Sequence, residues 1–302
     1  MLDRLKSWIV DPPPAMAFEI SEAGIAAARI GARAELDFAP LPPGALALSP
    51  LADNVIEPDR FAAAVSSLAG RQSGRKRRDA ALILPDFSTR IAVLDFDSFP
   101  AKAEEQIALI RFRLKRSVPF DVESAAISYW AQVPHHNGAG KNGKKLDVVV
   151  VVAPLEIIAP FEAPFRAAGL APGLVTPSAI AALELAPEAG LSVTAKLSGS
   201  TLTVLVRDRA TLKLVRCLEV PSQSLDDIAA VLLPTFVYTE DNLGGRAEKL
   251  LLCGFGPESD EAAAILGDMA GVEAEVLCSP LGTPSETNAG LLGYLRSIAR
   301  NN

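Results

Sequence analysis

The sequence predicts an α/β protein with two similar lobes, and three observations lead to this prediction. The chain has 302 residues, of which 49% are hydrophobic, so it can bury one large core or two moderate ones. Its charged fraction of 22% and its lack of long biased tracts are typical of an ordered globular protein. A meander of strands followed by alternating helices and strands occurs twice, which indicates an internal duplication.

The first lobe begins with the meander. Strands are predicted at about 15–20, 25–30 and 33–39, before the proline-rich loop PLPPGALALSP. The segment EPDRFAAAVSSLAG has the spacing of a helix. The next segment, ALILPDFSTRIAVLDFD, contains two strands that are separated by a turn at PDFS.

An amphipathic helix and two further strands follow. The helix lies in AKAEEQIALIRFRLKRSV, with Ile107, Ile110 and Leu114 on one face, and stops before Pro119. The strands are ESAAISYWAQV and KLDVVVVVAP. The lobe closes with the helix LEIIAPFEAPFRAAG, which we expect its two prolines to kink or break, then the strand GLVT and the helix PSAIAALELA.

The second lobe repeats the meander with the strands LSVTAKL, TLTVLVRD and TLKLVRCLEV. The helix SLDDIAAVLLPTFVYTEDNL, which we expect to be interrupted at Pro234, leads to the strand KLLLCG. A helix, a strand and a C-terminal helix complete the lobe, in SDEAAAILGDMAG, AEVLC and NAGLLGYLRSIAR.

Charge and reactive side chains narrow the classes of function. The net charge of -7 argues against nucleic acid as the main partner, and the basic run RKRR at 75–78 is interpreted as a solvated loop. The three widely spaced cysteines support neither a disulfide framework nor a zinc site. His135 and His136 are the only histidines and lie in a hydrophilic run, so we interpret them as loop residues.

No apolar run approaches the roughly 20 residues of a membrane-spanning helix, so a soluble protein is expected. The N-terminal segment 1–14 is amphipathic: Leu2, Leu5, Trp8 and Ile9 share one helical face before three prolines end the helix. This segment can dock on the protein's own surface or contact a membrane surface or a partner, and the sequence leaves both open.

The longest distinctive stretch is ALILPDFSTRIAVLDFDSFPAKAEEQIALIRFRLKRSVPFDVESAAISYW, with an apolar-Pro-Phe motif at Val118–Phe120. This stretch resembles the PilM family. Two further segments share the resemblance: SLDDIAAVLLPTFVYTEDNLGGRAEKLLLCGFGPESD, and EVLCSP followed by NAGLLGYLR. Members of the family are actin-like cytoplasmic components of type IV pilus assembly, related in fold to the division protein FtsA. The resemblance implies an actin-like, ribonuclease H-like duplicated fold: an N-terminal segment 1–14, a first lobe 15–190 with an inserted subdomain at about 55–152, and a second lobe 191–302.

The resemblance implies a nucleotide cleft, but the residues depart from the family's pattern. Actin-like proteins hold ATP between two hairpin turns that carry Asp-x-Gly, whose carboxylate organises magnesium. Here Glu19 and Ser21 occupy the first turn and Glu22 adds a charge, which should weaken phosphate binding; Lys196 and Ser198 occupy the second turn.

Two interpretations of the cleft stay open. Lys196 binds phosphate while Glu19 holds magnesium, so that the cofactor is ATP with Mg²⁺; or Lys196 pairs with Glu22 or Glu19, the cleft holds no cofactor, and catalysis has lapsed. The third part of the predicted site is Gly254 and Gly256, in a partly preserved adenosine loop where Phe255 covers the purine or simply packs.

The resemblance implies a scaffold on the cytoplasmic side of the inner membrane that binds the N-terminal tail of a PilN-like membrane protein and other platform components. Peripheral association with the membrane would come through that partner. The predicted contact is a groove beside the amphipathic helix, with cations at its end: Arg111, Arg113, Lys115 and Arg116. Two alternatives are a working ATPase with unusual phosphate loops and the cytoplasmic part of a GspL-like type II secretion scaffold.

Overall fold

A computed structural model describes residues 13–14, 16–31, 34–70, 78–132, 146–188 and 190–301. The predicted amphipathic helix of the N-terminal segment, both histidines and most of the RKRR run lie outside these residues. Within the described ranges, no helix is long and apolar enough to cross a bilayer.

The first lobe is built on a five-stranded sheet with the order β3-β2-β1-β4-β8. The meander β1–β3 is antiparallel, whereas β4 and β8 run parallel to β1. The predicted meander strands are confirmed to within one residue at each end, because each is bounded by a turn, whereas β4 and β8 each begin three residues earlier than predicted. The five strands are β1 (Met16–Ser21), β2 (Gly24–Ile30), β3 (Ala34–Pro40), β4 (Arg78–Leu84) and β8 (Leu170–Pro177).

Helices cover both faces of this sheet. On one face, α1 (Pro58–Ala69) and α3 (Leu155–Ala167) bury a cluster of phenylalanines, in which Phe18 meets Phe165 edge to face at 5.0 Å. On the other face lie the short helix α4 (Ser178–Ala182) and the C-terminal helix α7 (Ala289–Asn301).

The second lobe repeats the design. Its sheet has the order β11-β10-β9-β12-β13, which matches the first sheet strand for strand and confirms the predicted duplication. Helices α5 and α6 pack on one face of it around Ile228, Leu232 and Leu266. The elements are β9 (Leu191–Ser198), β10 (Thr201–Asp208), β11 (Thr211–Glu219), α5 (Leu225–Leu243), β12 (Lys249–Cys253), α6 (Ser259–Ala270) and β13 (Glu273–Val276).

Two helices continue through their prolines, where the sequence analysis expects a kink or break in one helix and an interruption in the other. Helix α5 passes Pro234 and helix α3 passes Pro160 and Pro164 without ending. A proline inside a helix costs about 3 kcal/mol. Burial of the apolar face, with Phe161 and Phe165 fully enclosed in α3, offsets that cost.

A third layer lies between β4 and α3 in the chain. It is a three-stranded antiparallel sheet, ordered β5-β7-β6, with α2 (Ala103–Leu114) on one face. Its strands are β5 (Arg90–Phe96), β6 (Ala125–Ala131) and β7 (Leu146–Pro154). Helix α1 and strand β4 fall within the predicted range 55–152 but belong to the first lobe's sheet and core. The subdomain boundaries stay a prediction.

Close packing of α7 on α4 depends on glycines. A Cβ on Gly293 would lie 2.1 Å from the carbonyl oxygen of Ala181, and one on Gly290 would lie 2.7 Å from Ser178 Oγ. No side chain fits at such distances. The two glycines therefore bring the N-terminus of α7 against the end of β1, where the candidate site begins.

Candidate functional site

The two hairpin turns predicted for the cleft lie opposite each other. Glu22, in the turn between β1 and β2, reaches the turn between β9 and β10: a Cβ built on Gly199 would lie 2.9 Å from Glu22 Oε2. Burial raises the pKa of Glu22, and the neighbouring carboxylates of Glu219 and Glu286 raise it further. The mouth of the cleft is therefore acidic, which disfavours phosphate.

Glu19 is buried at the end of β1, and both of its carboxylate oxygens are occupied. Oε1 accepts a hydrogen bond from the Ser178 hydroxyl, and Oε2 accepts one from the backbone N–H of Leu291 at 2.7 Å. Leu291 lies in the first turn of α7, where unpaired N–H groups favour a negative charge. Burial raises the pKa of Glu19, although the charge of Lys196 and the hydrogen bonds oppose that shift.

Lys196, in β9, forms an ion pair across the cleft. Its Nζ lies 3.0 Å from Oδ2 of Asp86, and each side chain is only 2% exposed. Burial alone would lower the pKa of Lys196, but the carboxylates of Asp86 and Glu19 outweigh it and raise the pKa. The ion pair that one interpretation of the sequence predicts is present, with Asp86 as its partner in place of Glu22 or Glu19.

Asp86 is the residue that the sequence interpretation missed. It lies in the short 3-10 turn Asp86–Ser88, directly after β4 and its following proline. Its Oδ1 accepts from the backbone N–H of Ala179 at 2.7 Å, and its Oδ2 accepts from Thr203 Oγ1 at 3.0 Å as well as from Lys196. The carboxylate thus joins three elements from both lobes.

The remaining predicted cleft residues differ in their surroundings. Ser21 Oγ donates to the carbonyl of Gly24 at 3.0 Å, and Ser198 Oγ donates to the carbonyl of Glu286 at 2.8 Å. Gly254 has a left-handed φ of +85°, and a Cβ there would lie 2.1 Å from a backbone oxygen of β9. Gly256 faces open space, with nothing near its Cβ position.

Phe255, between these two glycines, is half-buried and packs against the core of the second lobe. The six predicted cleft residues are thus near the facing hairpins or on the loop beside β12, but a role for them in nucleotide binding stays a prediction. Among the described side chains, no group of three or more His, Cys, Asp or Glu is arranged to hold a metal ion.

The three-stranded layer also contacts the second lobe. The side-chain amide of Gln132 donates to the carbonyl of Leu212 and accepts from its N–H, both at 2.7 Å. Nearby, Lys213 Nζ lies 2.6 Å from Asp147 Oδ2. Apolar contacts of Val149 with the second lobe complete this joint.

The four predicted partner-binding cations lie at the end of α2 and just beyond it. Arg111 and Lys115 lie 3.7 and 3.9 Å from Glu123, and Arg113 lies 3.3 Å from Asp95. Arg116 is exposed. Three of the four charges therefore face carboxylates of their own layer, and their role in partner binding stays a prediction.

Comparisons with known proteins agree with this architecture. No protein-family model matches the chain, and no match was found among curated proteins. Solved structures do match over nearly the full length. A protein of Bacteroides thetaiotaomicron with an actin-like ATPase fold is 13% identical, with 97% of this chain and 98% of that chain covered and a TM-score of 0.54. The chain therefore has the actin-like fold.

Two further neighbours come from a pilus biogenesis complex and from a secretion system. A chain of the PilM–PilN type IV pilus biogenesis complex is 18% identical, with 96% of this chain and 99% of that chain covered and a TM-score of 0.75. The cytoplasmic domain of EpsL, an inner-membrane component of the type II secretion system of Vibrio cholerae, is 14% identical, with 95% and 94% covered and a TM-score of 0.51. The structure is thus PilM-like in its actin fold.

Proposed function

We propose that this protein is a scaffold of an inner-membrane assembly platform and binds the cytoplasmic N-terminal tail of a PilN-like membrane protein. In this proposal the protein is cytoplasmic, associates with the inner membrane through that partner and other platform components, and hydrolyses little or no ATP. The likeness in fold to the PilM–PilN complex and to the EpsL cytoplasmic domain supports the assignment to a pilus or secretion platform.

The observation that carries the proposal is the buried contact between Lys196 and Asp86. A magnesium nucleotide needs carboxylate oxygens for the metal and donors for the phosphates. Glu19 already accepts from Ser178 and the start of α7, and the ammonium of Lys196 is held 3.0 Å from Asp86. Glu22 adds negative charge where phosphate would enter. The protein's own groups thus satisfy one another.

Calorimetry with magnesium-ATP tests this part of the proposal. We expect no heat of binding at millimolar ATP for the wild type, and turnover at background level for both the wild type and Glu22→Ala. Binding in the micromolar range that weakens in Lys196→Ala would overturn the proposal. That result would favour the ATPase alternative, in which Glu19 holds magnesium and Lys196 meets the phosphates.

For the partner tail, the best-supported receptor is a groove between the first lobe and the three-stranded layer. Strands β6 and β8 flank it, and each is at the edge of its sheet. The groove encloses a cavity of about 150 Å³ lined by apolar groups that include Ile127, Val151, Ile158 and Val175. A single apolar side chain of a bound segment fits in such a volume.

The two edge strands differ in what they offer an extended peptide. Strand β8 contains Pro172 and Pro177, which lack an N–H, and its register with β4 is shifted near its start. Strand β6 has the sequence AAISYWA without proline. Its outer edge is therefore suited to pair with an added strand, whose alternate side chains would enter the groove.

Peptide binding distinguishes this groove from the basic end of α2. The probe is a synthetic peptide with the N-terminal tail of the proposed PilN-like partner. We expect Ser128→Arg, which fills the groove from β6, to abolish binding, and Arg116→Ala to leave it unchanged. The reverse pattern would assign the site to α2, and a wild type that binds neither in solution nor with membrane-reconstituted partner would overturn the scaffold proposal.

A type II secretion platform is a second candidate, and the likeness to the EpsL cytoplasmic domain favours it. The genes that flank this one separate the two systems. A neighbouring gene for a one-span protein with a short cytoplasmic tail supports the pilus assignment. A neighbouring set of type II secretion genes would support the alternative.

A further inference from the structure

The hydrogen bonds and ion pair of Asp86 with Ala179, Lys196 and Thr203 form a buried network. Two loop segments of the first lobe contribute both to this network and to the groove. Leu84 and Thr89 line the groove. Asp86, which lies between them in the chain, forms the ion pair with Lys196. Likewise Pro177 lines the groove, and two residues later the N–H of Ala179 donates to Asp86 at 2.7 Å. A movement of segment 84–89 or 177–179 would therefore change both the groove and the contacts of Asp86.

The second lobe holds the turn of Asp86 in position. Within the turn, Ser88 Oγ donates to the carbonyl of Pro85 at 2.6 Å, which fixes its shape. Its location is fixed from across the cleft, since Lys196 and Thr203 both donate to the Asp86 carboxylate at 3.0 Å. The turn is thus attached to β9 and β10 by groups that are enclosed in the protein.

The floor of the groove is held by the second lobe in the same way. Along one face of β7, Val149 packs against Leu205 and Leu212, whereas Val151 and Ala153, two and four residues further on, line the groove. Side chains at alternate positions of a strand share a face. The same face of β7 therefore rests on the second lobe at one end and forms the groove at the other.

We propose that the Lys196–Asp86 contact positions the peptide groove, with Lys196 acting as a positioning residue for partner binding. This inference rests on the proposed function, because it concerns the same groove. The contact sets the groove's shape without a ligand in the cleft, so the receptor is pre-organised and loses less conformational entropy when a peptide binds.

Hydrogen exchange without any partner is the first test. We expect the double variant Lys196→Met/Asp86→Asn to exchange faster than the wild type in 84–89, 125–131 and 176–179, with α6 unchanged. Lys249→Met is the matched control, because it also removes an ammonium from an ion pair, with Glu273 and Glu275, but none of these residues lines the groove. Unchanged exchange in the groove, or an equal change in the control, would overturn the inference.

Peptide affinity is the second test, with the synthetic PilN-like tail as the probe. Couplings of this kind correspond to a loss of affinity of about 2- to 30-fold, which we expect for the double variant and not for Lys249→Met. Equal affinity of the double variant and the wild type would refute the positioning role. A wild type that does not bind the tail refutes the proposed function instead, while hydrogen exchange still decides the coupling.

If the double variant does not fold, Thr203→Val provides a milder test of the same inference. Valine has nearly the shape of threonine but lacks the hydroxyl that donates to Asp86. We expect a smaller increase of exchange in the same three groove segments. No increase in a folded Thr203→Val protein would count against the inference.

Discussion

Replacing Lys196 by methionine is the most direct test of the buried network. Methionine has a similar length and no charge, so the change removes the ammonium and keeps most of the packing. Asp86 would retain the hydrogen bonds from Ala179 and Thr203. Its carboxylate would nevertheless be left without a cation at a position that is only 2% exposed.

The magnitude follows from the distance and the burial. At 3.0 Å and an effective dielectric constant of about 20, the Coulomb attraction is about 5.5 kcal/mol. The variant no longer has to strip water from the ammonium, which offsets part of that loss. Breaking a buried pair by removing one partner costs about 3–5 kcal/mol in the free energy of unfolding.

Urea unfolding of the wild type, Lys196→Met and Lys196→Met/Asp86→Asn, followed by circular dichroism, measures these free energies. We expect the double variant to recover most of the loss, because asparagine removes the isolated charge and keeps an acceptor for Ala179. A loss below about 1 kcal/mol in Lys196→Met would be typical of an exposed pair and would refute the reasoning. A double variant as unstable as the single one would refute it too.

Three further predictions concern other parts of the cleft. Burial raises the pKa of Glu19 above its ordinary value of 4.5, so the native state holds this proton more tightly than the unfolded state. The stability that Glu19 contributes is complete below pH 4.5 and is lost as the pH rises through its native pKa. In urea unfolding over this pH range, the free energy of unfolding of Glu19→Gln should therefore change less with pH than that of the wild type. Gly254→Ala, whose Cβ would meet a carbonyl at 2.1 Å, should lower the free energy of unfolding by more than the roughly 1–2 kcal/mol of a left-handed alanine, and Gly256→Ala by about that amount only. Cys278 is exposed, whereas burial raises the pKa of Cys253 to about 12, so iodoacetamide at neutral pH should label Cys278 alone of these two, as mass spectrometry can show.

Each of these predictions has an outcome that contradicts it. Equal pH dependence of Glu19→Gln and the wild type would mean that Glu19 holds its proton no more tightly in the folded protein. Equal stability of the two alanine variants would mean that the close approach at Gly254 relaxes without cost. Labelling of Cys253 at the rate of Cys278 would show that the centre of the molecule opens to solvent.

The secondary structure of both lobes is predictable from the sequence because it depends on local signals. Alternating apolar residues and turn residues mark the strands of each meander, and the same order of elements appears twice. The continuity of α5 through Pro234 is not predictable in this way, because the compensating burial comes from the sheet below it.

The buried network is only partly predictable. The sequence indicates that Lys196 replaces a nucleotide-binding group and suggests an ion pair. It cannot identify Asp86, which is 110 residues away and lies in a segment whose pattern is that of an ordinary turn. The hydrogen bond from Leu291 to Glu19 spans 272 residues, so only the fold reveals it.

The side-chain amide of Gln132 has a consequence for association between molecules. It forms hydrogen bonds with the N–H and the carbonyl of Leu212 in β11, an outer strand of the second sheet, as a neighbouring strand would. That edge is consequently blocked at this point against pairing with another chain. The outer strand of the first sheet, β3, instead exposes Leu36 and Phe38 by 43% and 44%. Of these two corresponding edges, that of β3 should therefore be the more prone to aggregation, and Leu36→Lys should reduce aggregation through it.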